Sequence, residues 1–102
     1  MAVRDRFPVP QEAVAAFCKA HDIRRLAFFG SVIRDDFGPD SDVDVLVEFE
    51  PGRTPGLLGM SAMEIELGRI LGRKVDLRTP ADLSRYFRDE VVGSSEVRYA
   101  AG

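Results

Sequence analysis

Asp42-Val43-Asp44-Val45-Leu46-Val47-Glu48-Phe49 sets Val43, Val45 and Val47 in alternation with Asp42, Asp44, Leu46 and Glu48. Successive side chains of a strand point to opposite faces, so this pattern predicts a strand over residues 42–49. Its valines enter a core, and Asp42 and Asp44 present two carboxylates together on the other side. Two close carboxylates repel each other, and a bound cation relieves the repulsion. Oxygen donors suit Mg²⁺ or Mn²⁺, which keep several waters and also bind triphosphate oxygens. An isolated Asp-x-Asp ordinarily marks only the wet face of an amphipathic strand, so the surrounding chain has to decide.

Upstream, residues 26–29 form a short apolar run that stops at Gly30, the pattern of a buried strand turning sharply into the next element. Phe29-Gly30-Ser31 can then aim backbone N–H groups and a hydroxyl at a phosphate. Ten residues separate Ser31 from Asp42, enough for a helical turn and a loop to bring the chain back beside the same end of the sheet. Downstream, a third strand is predicted over residues 73–79. In it Val75 and Leu77 face the core, and Asp76 offers a third carboxylate from the opposite side.

The intervening stretches read as helices and loops. Residues 10–21 carry Val14, Phe17, Cys18 and His21 at helical spacing, with Pro10 near the start and Glu12 in the first turn. Residues 50–56 hold two prolines and two glycines and predict a loop. Met60, Met63, Leu67 and Leu71 then mark an amphipathic helix stopped by Gly72. After Thr79-Pro80 a last helix is predicted over residues 80–92, and residues 93–102 are weakly patterned. The expected fold is α/β (α+β), a small mixed sheet flanked by helices, in one compact domain spanning residues 1–102.

Composition narrows the class. With 45% hydrophobic and 30% charged residues the chain is ordinary globular material. No apolar run approaches the roughly 20 residues that span a bilayer, and the N-terminal MAVRDRFPVP lacks a signal's apolar stretch, so a cytoplasmic protein is expected. The single cysteine, Cys18, sits in an apolar helical pattern as a small buried side chain. The net charge is −3 and the fourteen Lys and Arg are scattered, which disfavours a long nucleic acid as partner. His21, the one histidine, reads as a helix cap rather than a ligand. Tyr86, Phe87, Met60 and Met63 read as core or interface.

Phe29-Gly30-Ser31, ten residues, then Asp42-x-Asp44 resembles the Gly-Ser-x10-Asp-x-Asp signature of the DNA polymerase β-like nucleotidyltransferase superfamily. The likeness runs from Ile23 through Leu77 and is strongest to the minimal nucleotidyltransferases, the MNT or MntA-type antitoxins encoded beside HEPN-domain toxins. It implies that Gly30 and Ser31 hold the triphosphate of ATP and that Asp42 and Asp44 ligate Mg²⁺, two ions in all. It implies for Asp76 a share in one metal and in activating the acceptor hydroxyl. A pair of cations about 4 Å apart stabilises both the attacking and the leaving oxygen of an in-line displacement. Arg34 matches the arginine of the fuller Gly-Ser-x-Ala-Arg-Gly motif, although Ile33 and Asp35 replace the usual alanine and glycine. It either contacts phosphate or ends a helix in solvent. Arg78, two residues after Asp76, pairs with a carboxylate, reaches a phosphate or stays exposed.

The resemblance implies transfer of AMP from ATP to a tyrosine of a HEPN-type toxin, which silences that toxin. The chain has little beyond a nucleotide-handling core, so the partner is expected to supply the acceptor. A binding-only antitoxin with an idle site and a small-molecule nucleotidyltransferase are the rival readings. The intact Asp42, Asp44 and Asp76 weigh against the first, and the lack of an acceptor-binding domain weighs against the second.

Overall fold

The computed structural model describes residues 9–33, 38 and 41–101, with Ser31 through its backbone only. Helix α1 (Gln11–Ala20) follows Pro10, carries Glu12 in its first turn and Lys19 in its last, and buries Val14, Phe17 and Cys18. His21 caps its C-terminus. Strand β1 (Ile23–Phe29) then runs to Gly30, where a positive φ of 72° turns the chain into a short 3-10 helix, Gly30–Ile33. Strand β2 (Val43–Phe49) pairs antiparallel with β1. Helix α2 (Leu57–Leu71) ends at Gly72, whose left-handed conformation (φ 69°) suits a residue without a Cβ. Strand β3 (Val75–Arg78) returns parallel to β2, making β2-α2-β3 a crossover unit.

Two expectations fail in the C-terminal fifth. Residues 80–92 are not one helix: a 3-10 turn, Pro80–Asp82, gives way to an extended Leu83, and α3 (Arg88–Ser94) starts only later. The break is held by Arg88, whose Nε donates to the Pro80 carbonyl at 2.7 Å and whose Nη2 donates to the Leu83 carbonyl at 3.1 Å. The Leu83 carbonyl is thus satisfied by a side chain instead of by a continuing helix, and the Pro80 carbonyl by that side chain together with the Leu83 N–H. The weakly patterned tail contains a fourth strand, β4 (Glu96–Ala100), antiparallel to β1. None of its residues is fully buried, so pairing with β1, not apolar alternation, places it there.

The sheet order is β3-β2-β1-β4. Helices α1 and α2 cover one face, where Val14, Phe17, Leu26, Phe28, Val43, Val45, Leu67 and Leu77 join one core. Both outer strands have partners on their open edges. Glu64 of α2 accepts a hydrogen bond from the Leu77 N–H at 2.7 Å, and the Gln11 amide donates to the Arg98 carbonyl. Either contact satisfies a backbone group that an edge strand otherwise leaves to a stray strand. The opposite face carries the alternate residues of β2 and β3, Asp44, Leu46, Glu48, Asp76 and Arg78. Leu46 is buried there along with its β1 partner Ala27, so this face is apolar at its middle and charged at one end.

Candidate functional site

The charged end of that face is built by strand register. Asp44 and Asp76 are direct partners across the parallel β2-β3 pair, and Phe29 is the partner of Asp44 across β2-β1. One residue past Phe29 the chain must clear the Asp44 carboxylate. A Cβ added at Gly30 would lie 2.2 Å from Asp44 Oδ2, far inside contact distance, and the φ of 72° is one that L side chains rarely adopt. Gly30 thus meets two demands at once, the left-handed turn and the close approach of backbone to carboxylate. Asp42 is exposed and stands just ahead of Val43, the first residue of β2.

The strand register sets Asp44 beside Asp76, and Asp42 precedes Asp44 by two residues. Among the described residues no three His, Cys, Asp or Glu side chains converge as a ready metal site. Arg78 meanwhile pairs with Asp76, Nη2 to Oδ2 at 3.2 Å. The hydrogen bond and charge of Asp76 hold that guanidinium protonated more firmly than usual, with the charges of Asp82 and Asp44 adding less. Of the fates open to Arg78, the pair with a carboxylate is the one realised, on a side chain still 48% exposed. The donors are all hard oxygens on neighbouring strands, with a guanidinium already standing in as counter-charge, and this set fits Mg²⁺.

The loop leading to Asp42 is tied down by a residue whose role the sequence pattern did not reveal. Nη2 of Arg73 donates to both the Gly38 and the Ser41 carbonyls, each at 2.7 Å. Ser41 and Gly38 close the turn on themselves, Ser41 N to the Gly38 carbonyl at 3.1 Å and Gly38 N to Ser41 Oγ at 3.0 Å. Val43 N then joins the Lys74 carbonyl at 2.8 Å, fixing where β2 begins. Arg73 was legible only as the first residue of a strand, since its partners lie 35 and 32 positions away.

Two clefts flank the carboxylates. One, about 440 Å³, runs between β3, the start of α2 and the Pro80–Asp82 turn, with Asp76 and Arg78 in its wall. The other, about 470 Å³, lies between Gly30 and α3, lined by Phe29, Ile33, Phe87 and Glu90. Arg34 and the Ser31 side chain lie outside the described residues, and their expected part in holding phosphate stays an expectation. Cys18 is fully buried and burial pushes its thiol up to about 12, an inert packing residue as expected. His21 is a structural residue too, 3.1 Å from Glu66 and with its ring tilted against that of Phe17. Met63 is in the core and Met60 packs against it. Tyr86 and Phe87, read as core or interface, are largely exposed, which removes the core alternative.

Residues 11–98 match the family model of the nucleotidyltransferase domain, and the chain belongs to that family. Its likeness within the family is to the minimal nucleotidyltransferases. A candidate protein adenylyltransferase of Methanocaldococcus jannaschii is 32% identical over 75 residues, 74% of this chain and 78% of the relative. The protein adenylyltransferase MntA of Thermococcus cleftensis is 44% identical over 55 residues, 54% of this chain and 54% of the relative. A solved candidate minimal nucleotidyltransferase has a TM-score of 0.72 at 35% identity, covering 93% of this chain and 94% of that one. A chain of a toxin–antitoxin crystal structure with AMP-PNP has a TM-score of 0.73 at 17% identity, covering 90% of this chain and 74% of that one, a likeness of fold.

Proposed function

We propose that this chain is an Mg²⁺-dependent protein adenylyltransferase that moves AMP from ATP to a tyrosine of a HEPN-type toxin and silences the toxin by doing so. The observation that carries the reading is the register pair Asp44–Asp76 with the Gly30 backbone pressed against Asp44. The relatives named protein adenylyltransferase and the neighbour solved within a toxin–antitoxin pair support the acceptor. The modest negative charge and scattered basic residues favour a protein hydroxyl over a long nucleic acid.

Asp42, Asp44 and Asp76 would hold Mg²⁺, which when bound would draw charge from the triphosphate. The Gly30–Ile33 turn would offer backbone N–H groups to the phosphates of the nucleotide. In the transfer, the phenolic oxygen forms a bond to the α-phosphorus, and the bond from that phosphorus to the oxygen bridging the β-phosphate breaks. Pyrophosphate leaves, and the phenolic proton passes to Asp76. A phenol with a pKa of about 10 needs such a base to become a good nucleophile at neutral pH. The reaction belongs in the cytoplasm, where ATP and Mg²⁺ are both plentiful.

The test is to incubate toxin, this protein, ATP and Mg²⁺ and to follow the toxin's mass and ribonuclease activity beside an Asp42→Asn, Asp44→Asn control. Gain of an adenylyl group with loss of ribonuclease activity is expected, and neither should occur with the control at catalytic dose. Equal protection by the control at stoichiometric dose would replace this reading with binding-only neutralisation. Equal affinity for ATP in chelator and in Mg²⁺ would remove the metal from it.

A further inference from the structure

We propose that Tyr86 is itself an acceptor, the phenol of one copy of the chain taking AMP from ATP held by a second copy. The inference rests on the transferase reading above. That chemistry needs a phenolic oxygen that another protein's site can reach, and the chain has two tyrosines. Tyr99 lies on β4 opposite Leu26 and packs against the core, so its ring is held within the fold. Tyr86 is 80% exposed and stands outside the core cluster.

The segment that carries Tyr86 is irregular but fixed. It runs from the Pro80–Asp82 turn to α3, and the Arg88 guanidinium bonds the carbonyls of Pro80 and Leu83 across it. Ser84 orders the stretch further. Its hydroxyl accepts from the Tyr86 N–H at 3.3 Å, and its carbonyl accepts from the Phe87 and Arg88 N–H groups at 3.0 and 2.9 Å. The phenol thus projects from a loop that is already ordered, which lowers the entropic cost of docking it in another site. Tyr86 lines neither of the two clefts that flank the carboxylates, and its loop is pinned, so the site it meets is that of a second copy and not its own.

Charge suits the same encounter. Arg85 Nη2 lies 3.5 Å from the Tyr86 hydroxyl oxygen, and the Arg85 guanidinium stands 5.3 Å from the ring centroid. A positive charge beside the phenol oxygen favours the negative charge that grows there as the proton leaves, and then the phosphodiester anion of the product. It also brings a cation to a site that would hold three carboxylates and a triphosphate. In the step, the Tyr86 oxygen forms a bond to the α-phosphorus of ATP on the second copy, and the bond from that phosphorus to the oxygen bridging the β-phosphate breaks. Pyrophosphate leaves, and the phenolic proton passes to Asp76 of the second copy.

The test uses the full chain with ATP and Mg²⁺ and no toxin, read by intact mass and by peptide mapping. Wild type should gain an adenylyl group on Tyr86 and none on Tyr99. A Tyr86→Phe enzyme is then mixed with an Asp42→Asn, Asp44→Asn copy, which keeps Tyr86 but cannot transfer. The enzyme should label that copy on Tyr86, stay unlabelled itself, and label toxin, in a separate incubation, at the wild-type rate. Arg85→Gln should slow labelling of Tyr86 about tenfold, the loss of one charge-assisted contact, with toxin labelling unchanged. Toxin labelled while Tyr86 gains nothing overturns the proposal, and label on wild-type Tyr86 but never on the inactive copy overturns transfer between copies. If neither toxin nor Tyr86 is labelled, the transferase reading itself fails and this inference falls with it.

Discussion

On the helix-covered face of the sheet Val43, Val45, Leu26 and Phe28 are wholly buried, while on the opposite face the intervening residues of β2 and β3 bring Asp44 beside Asp76. The same two strands make both faces, one residue apart. The first face lowers the free energy of folding through apolar burial and close packing. The second gathers like charges and gives Asp76 a guanidinium neighbour instead of an apolar one. Alternation along a strand therefore separates the residues that hold the fold from those proposed to do chemistry. The separation has one crossing point, Gly30, where the backbone that ends a core strand touches Asp44.

The largest expected effect is on the packed face. Leu67 is fully buried between α2 and the sheet, so Leu67→Ala should lower stability by about 2–5 kcal/mol, read as a fall in the urea midpoint. Transfer per folded molecule should stay at the wild-type level. If activity per folded molecule drops in step with stability, the two faces are not separable. The next effect falls on the crossing point. Gly30→Ala should lose about 1–2 kcal/mol from its left-handed backbone. The added Cβ also displaces the Asp44 carboxylate, and misplacement by about 1 Å should cost about a hundredfold in transfer. A Gly30→Ala protein of lowered stability but full activity would show that the contact with Asp44 plays no part in the reaction.

The half of the chain that holds the carboxylates was readable because its signals are local. Alternation gave β2 and β3, Gly30 and Gly72 marked the turns they occupy, and the Gly-Ser to Asp-x-Asp spacing announced the family. Strand β1 starts at Ile23, ahead of the expected Leu26, because Arg24 and Arg25 interrupt the apolar run while the pairing with β2 passes through a shift of register there and continues. Helix α2 starts at Leu57, a turn ahead of its periodic residues, because Leu57 and Leu58 face water. The C-terminal fifth was misread for a non-local reason. Arg88 supplies hydrogen bonds that break one helix in two, and β4 owes its place to the backbone of β1. Neither cause leaves a periodic trace in its own segment.

The smallest expected effect concerns Arg73, which is placed to act on Asp42 through a loop. Its guanidinium bonds the Gly38 and Ser41 carbonyls and so holds the turn that delivers Asp42 to the start of β2. Arg73→Ala leaves those carbonyls to water, at a cost of roughly 1 kcal/mol, since the bonds are only part-buried. A looser Asp42 should raise the Mg²⁺ concentration needed for half-maximal transfer and lower the maximal rate about tenfold, less than displacing Asp44 does. Arg73→Lys keeps the charge but loses the planar fork, so it should recover stability more fully than metal affinity. The decisive readout is the Mg²⁺ titration. A purely structural arginine would lower the amount of folded protein and leave the Mg²⁺ midpoint where it is in wild type, whereas a positioning residue moves that midpoint even in samples matched for folded protein.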